Sequence, residues 1–174
     1  IDGMDYSLLS QGGNVTIETA SKVANTNLSL VGLKGVELAS TITVRSLTAG
    51  STRNFEVTED LVDRIQFTDP AQSSLAFQAG SSGDGNLSFA HSQGGAGITI
   101  AAEKIELYAG GPSSSSTSRI VFDDNHLPTF VGSGGAQTSP GEFFFRQSET
   151  IESEDGDGSV SLSDAVGHED TQFE

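Results

Sequence analysis

The densest group of chemistry-bearing side chains is Asp123-Asp124-Asn125-His126, directly after an apolar stretch holding Ile120 and Phe122. Two carboxylates beside an imidazole are the raw material of cation binding or general acid–base catalysis. The same run also reads as a turn, because Asp and Asn accept turn geometry and His126 stands beside Leu127-Pro128 at a loop start. The turn is the preferred reading. A second acidic group, Asp155-Gly-Asp157 with Ser159, opens like a calcium loop. An EF-hand requires Gly at its sixth position and Glu at its twelfth, where this chain has Val160 and Val166. A solvated Gly-Asp turn is expected there, with a weak cation site at Asp155/Asp157 or Asp123/Asp124 as the alternative. His91 and His168 sit in unrelated contexts, and no two histidines have ligand spacing, so no metal centre is expected.

Other catalytic signatures are missing from the sequence. There is no Gly-x-Ser-x-Gly elbow, no Walker loop and no dinucleotide fingerprint, since the Gly clusters lead into strand-like rather than helix-like segments. The absence of Cys excludes disulfides, thiol catalysis and iron–sulfur ligation. Two Tyr and no Trp leave few platforms for stacking sugars. The expectation is a protein that is not an enzyme and has no cofactor. A polysaccharide-active β-helix enzyme is the least favoured alternative, with Asp123 and Asp124 as its first suspects.

Charge narrows the partners. With 8 Lys and Arg against 24 Asp and Glu the net charge is −16. Wrapping nucleic acid or docking on anionic lipid needs clustered basic residues, so neither is expected. No apolar run approaches the roughly 18 residues of a membrane span. The chain starts at Ile1 without a basic or apolar leader, which reads as a mature, processed or excised chain.

The elements that would position any site are strands. Pairs of apolar residues separated by one other residue recur along the chain. They are Val15/Ile17, Leu28/Leu30, Val36/Leu38, Ile42/Val44, Phe55/Val57, Ile65/Phe67, Leu75/Phe77, Leu87/Phe89, Ile98/Ile100, Ile105/Leu107, Ile120/Phe122, Phe143/Phe145 and Val160/Leu162. Period two places both members of a pair on one face of a strand. In six of these thirteen pairs the middle residue is Ser or Thr, a small outward position. Asn14, Asn27 and Asn86 precede such units and form glycosylation sequons, but the hydroxyl residue is better explained as that outward position. Turn-forming runs such as Ser82-Gly-Asp-Gly-Asn86 and Gln93-Gly-Gly-Ala-Gly97 separate the units. The best helical segment, Thr58 to Arg64, is too short to stand alone.

Length allows one domain. The apolar fraction is 34%, against roughly 45–50% in globular domains counted with Gly. Gly, Ser and Thr make up 61 of 174 residues. Two apolar positions per short strand suit a narrow core of stacked rungs, which three chains can close around an axis. The predicted fold is therefore all-β, with short strands in a β-helix-like or β-prism-like, interwoven trimeric architecture; a β-sandwich is the runner-up. Ile98, Ile100, Ile105, Leu107, Phe143 and Phe145 are the candidates for an oligomer core. Phe143-Phe144-Phe145 puts rings on both faces of one strand, as a central strand or an inter-chain contact would. A soft boundary near residue 147 separates a β-rich 1–146, with low-complexity loops near 110–118 and 132–141, from an acidic 147–174 that contains no Lys or Arg.

The Asn/Gly-apolar-Ser/Thr-apolar units, the Gly83-Asp-Gly-Asn86 turn and the strand Ser118-Arg119-Ile-Val-Phe-Asp123 resemble segments of bacteriophage fibre, spike and capsid-decoration proteins. The resemblance spans residues 14–146 and transfers no functional residue. It implies a structural virion protein, a homotrimer at the virion surface or in an extracellular setting, whose partners are other virion proteins or a host glycan or protein. A secreted single-chain β-solenoid adhesin or filament subunit is the alternative.

Overall fold

The computed structural model describes residues 5–18, 26–111, 118–123, 125–133, 139–147 and 172–173, with backbone only for 145–147 and 172–173. The protein is all-β. In chain order the first strands are β1 (Asp5–Leu9), β2 (Val15–Ile17), β3 (Asn27–Gly32), β4 (Val36–Leu38), β5 (Ile42–Val44), β6 (Ser46–Ser51) and β7 (Phe55–Val57). A short helix, α1 (Glu59–Asp63), leads to β8 (Ile65–Phe67), β9 (Ser74–Ala79), β10 (Leu87–Phe89), β11 (Thr99–Ala101) and β12 (Lys104–Ala109). The remainder are β13 (Ile120–Val121), β14 (Thr129–Val131), β15 (Glu142–Gln147) and β16 (Gln172–Phe173).

Every ladder between these strands is parallel. β1, β3, β6, β9, β12, β15 and β16 form one seven-stranded sheet in that order. Smaller parallel sheets are β13-β10-β7, β11-β14, β2-β4 and β5-β8. Among the described residues, only β15 and β16 pair as neighbours in sequence. Parallel partners need a crossover of a dozen residues or more. Here other strands supply it: between β6 and β9 the chain passes through β7, α1 and β8.

The dyads become columns. Leu28, Leu47, Leu75, Ile105 and Phe143 share one register position along the large sheet, and Leu30, Ala49, Phe77 and Leu107 share another. All of them are buried. Phe55, Leu87 and Ile120 form a column in a neighbouring sheet, and Val57 pairs with Phe89. The Phe55 and Phe77 rings, with centroids 6.3 Å apart, join the two sheets across the core. Phe130 meets Phe143 edge-on at 4.8 Å. Each buried side chain of this size stabilises by roughly 1.5–3 kcal/mol. Only the inward columns need be apolar, and each residue in a column packs on the one above and the one below. That economy is how a chain of modest apolar content sustains a core.

The sequence-predicted inward residues lie in this core. Ile100, Ile105 and Leu107 are 0% exposed, and Ile98 and Phe143 are 2% exposed. Their burial is supplied by side chains of the same chain. Phe145 pairs in register with Leu107, and its side chain lies outside the described residues. Phe144, the outward member of that run, carries the Lys104 ammonium 4.9 Å from its ring centroid. The Thr58–Arg64 segment forms α1, capped by Thr58 Oγ1, which accepts from the Leu61 N–H at 3.3 Å, and anchored by buried Leu61.

Polar side chains also stack between turns. Asn27 Nδ2 donates to Asp5 Oδ1 at 2.8 Å, and Ser46 Oγ donates to Asn27 Oδ1 at 2.7 Å. A second ladder runs from Asn54 through Asn86 to the Arg119 backbone. The residue before an apolar dyad thus carries hydrogen bonds from turn to turn at Asn27 and Asn86.

Candidate metal centre at one corner

β10 and β13 pair as Leu87 with Ile120 and Ser88 with Val121. Beyond that ladder the Phe89 and Phe122 rings stack, with centroids 5.6 Å apart and planes at 3°. Phe130 also meets Phe89 edge-on, at 6.0 Å between centroids. β10 and β13 are adjacent and parallel, so the chain leaves them side by side and residues that follow Phe89 and Phe122 become neighbours. Those residues include His91, Asp123 and His126.

His91 Nε2 lies 2.6 Å from Asp123 Oδ2, and His126 Nδ1 lies 3.2 Å from the same oxygen. The two imidazoles stack with centroids 3.7 Å apart and planes at 27°. One ligand atom from each of the three side chains lies within 4.8 Å of the others. His91 is exposed, and Asp123 and His126 are half-buried.

Two turns position the three side chains, one carrying Asp123 and His126 and the other His91. Asp123 Oδ1 accepts from the Asn125 N–H at 2.9 Å, and the Asp123 carbonyl accepts from the His126 N–H at 2.9 Å. This Asx turn directs Oδ2 towards the imidazoles. The backbone bond from Asn125, followed by the bonds from His91 and His126, lowers the Asp123 carboxyl from 3.8 to about 2. It is an anion at any ordinary pH. On the other turn, His91 pairs with Gly97 across an antiparallel bridge. The intervening loop is closed by Gly95 N–H to the Ser92 carbonyl at 2.8 Å and Ala96 N–H to Ser92 Oγ at 3.2 Å. Glu59 Oε2 accepts from the Gln93 N–H at 2.7 Å and ties that loop back to α1. A Cβ at Gly97 would collide with the Leu127 carbonyl, so glycine lets the two turns approach.

Two imidazoles and one carboxylate form a nitrogen- and oxygen-donor set suited to zinc-like divalent ions. Ser92 Oγ is engaged in its own turn. The sequence singles out Asp123 and His126 and sets His91 apart, whereas the fold brings all three together. Linear histidine spacing carries no information about residues joined by register between turns. The step from Leu87 to Ile120 would reveal the pairing once the two strands are known to be partners. Asp124, Asp155, Asp157 and His168 lie outside the described residues.

No family model, no curated protein and no solved structure matches this chain.

Proposed function

We propose that the chain is a structural, non-enzymatic parallel β-helix that projects from a virion or other extracellular surface and works by assembly and attachment. The observation that carries this reading is the parallel register running from β1 to β16, with smaller parallel sheets stacked beside it. Solenoids of this kind are quasi-one-dimensional and present long, regular faces. The strongly acidic composition favours a solvated outer surface over contact with nucleic acid or anionic lipid. The proposed homotrimer would form by lateral packing of such helices, and the small outward residues Ser29 and Thr48, adjacent in register, suit close approach of another copy. Virion proteins or a host glycan or protein are the proposed partners.

A single-chain secreted solenoid adhesin or filament subunit is the second reading. It is favoured by one observation: the inward columns are buried by the chain's own residues. Native mass in solution by light scattering separates the two. Three times 18.0 kDa is expected for the trimer. A monomer mass overturns the trimer and leaves the single-chain solenoid.

A further inference from the structure

We propose that His91, Asp123 and His126 bind a divalent transition-metal ion of the zinc class, which clips the turn after β10 to the turn after β13. This goes beyond the structural role proposed above and does not depend on it. The geometry carries the inference. Two imidazole nitrogens from different turns converge on one carboxylate oxygen, at 2.6 and 3.2 Å. The two rings stack with 3.7 Å between centroids, so their nitrogens face the same small volume. A cation shared among the three ligand atoms, which all lie within 4.8 Å of one another, uses all of them. Tetrahedral ligands about 2.0–2.1 Å from zinc lie roughly 3.3 Å apart; the His126–Asp123 separation of 3.2 Å already matches that, and the His91–Asp123 separation of 2.6 Å needs to open by less than about 1 Å.

The surroundings have the form of a preorganised ligand set. Asp123 Oδ1 is already held by the Asn125 backbone, leaving Oδ2 to coordinate. The His91 loop is held by Glu59 and by its own bridge to Gly97. Such outer contacts orient metal ligands. Imidazole donors select zinc, nickel, cobalt or copper over magnesium and calcium, which prefer all-oxygen shells. Three protein ligands at a partly exposed corner leave further positions to solvent.

The test is calorimetric titration of the full chain with Zn²⁺ at neutral pH, in an excess of Mg²⁺ to occupy the generic acidic surface. One equivalent of Zn²⁺ is expected to bind, and the thermal midpoint is expected to rise with it. His91→Ala and His126→Ala should each weaken binding by at least about tenfold, with unchanged circular dichroism. His91→Gln keeps a hydrogen-bond donor for Asp123 but loses the imidazole ligand, and should weaken binding equally. His168→Ala should leave binding intact. Titration with Co²⁺ should give a visible absorption band that the His91 variants lack. Absence of stoichiometric binding overturns the proposal. So does competition by Mg²⁺ at equal concentration, or binding that survives His91 and His126 replacement and disappears with His168.

Discussion

Asn54 Oδ1 accepts the backbone N–H of Asn86, 32 residues further along the chain, at 3.0 Å. Asn86 repeats the act one turn later, where its Oδ1 accepts the N–H of Arg119 at 3.1 Å. The two side chains occupy equivalent places before β7 and β10, so one residue type performs one task on successive turns. Asn is suited to it because its short amide reaches a backbone group on the adjacent turn without leaving its own.

Asn86→Ala removes the acceptor of the Arg119 bond and should destabilise the chain by about 1 kcal/mol. Asn86→Asp retains an acceptor oxygen at the same place and should cost less. Urea unfolding of the two variants measures the difference. Equal losses would mean that the oxygen is not what matters.

Ile100 and Thr99 test the assignment of faces. Ile100 is fully buried, and its neighbour Thr99 is exposed. Ile100→Asp should cost several kcal/mol, because an unpaired charge enters an apolar column. Thr99→Asp should stay within about 0.5 kcal/mol of the parent. A cooperative thermal transition retained in Thr99→Asp and lost in Ile100→Asp is the expected outcome.

Phe77 marks the centre of the core. It is 0% exposed and lies against the Phe55 ring. Phe77→Ala should cost about 3–5 kcal/mol through lost burial and the cavity left behind. Leu8, on the edge strand β1, is 47% exposed, and Leu8→Ala should change stability by less than about 0.5 kcal/mol. Denaturant midpoints of the pair provide the comparison.

Gly97→Ala introduces a methyl group against the Leu127 carbonyl. The His91 loop must then move away from the segment bearing His126. A stability loss above about 1 kcal/mol is expected, together with weaker Zn²⁺ binding, although no ligand has been replaced. Differential scanning fluorimetry with and without Zn²⁺ reads both effects.

Much of the secondary structure was legible because period-two dyads report an inward face directly. Val15/Ile17, Leu28/Leu30, Ile42/Val44, Phe55/Val57 and Leu87/Phe89 each lie within a strand. Strand β6 escaped that pattern, since its inward pair is Leu47 and Ala49, and Ala was not counted among the large apolar residues. The small Ala49 sits between Leu30 and Phe77 in its column, where the neighbouring bulk makes a small residue fit. Strand β14 escaped because Phe130 has no apolar partner two positions away within it. Pairing was not legible. A dyad states which way a strand faces and is silent on its partner, and strand partners here are a whole circuit of chain apart. The candidate metal centre was hidden for the same reason, because His91 meets Asp123 and His126 only after β10 and β13 are stacked.

The parallel stack also has a mechanical meaning. β1 and β16 lie at opposite edges of the seven-stranded sheet. Adjacent strands are separated by about 4.8 Å. One turn runs from Asn27 to Ser46, 19 residues, and a later one from Lys104 to Glu142, 38 residues on. At about 3.4 Å per extended residue, each turn therefore stores roughly 65–130 Å of contour behind a single strand spacing. A tether pulling on the two ends would peel turns in series, releasing a long reach for each ladder broken. In the proposed β-helix, extension would be set by turn length and resistance by the few bonds of one rung at a time.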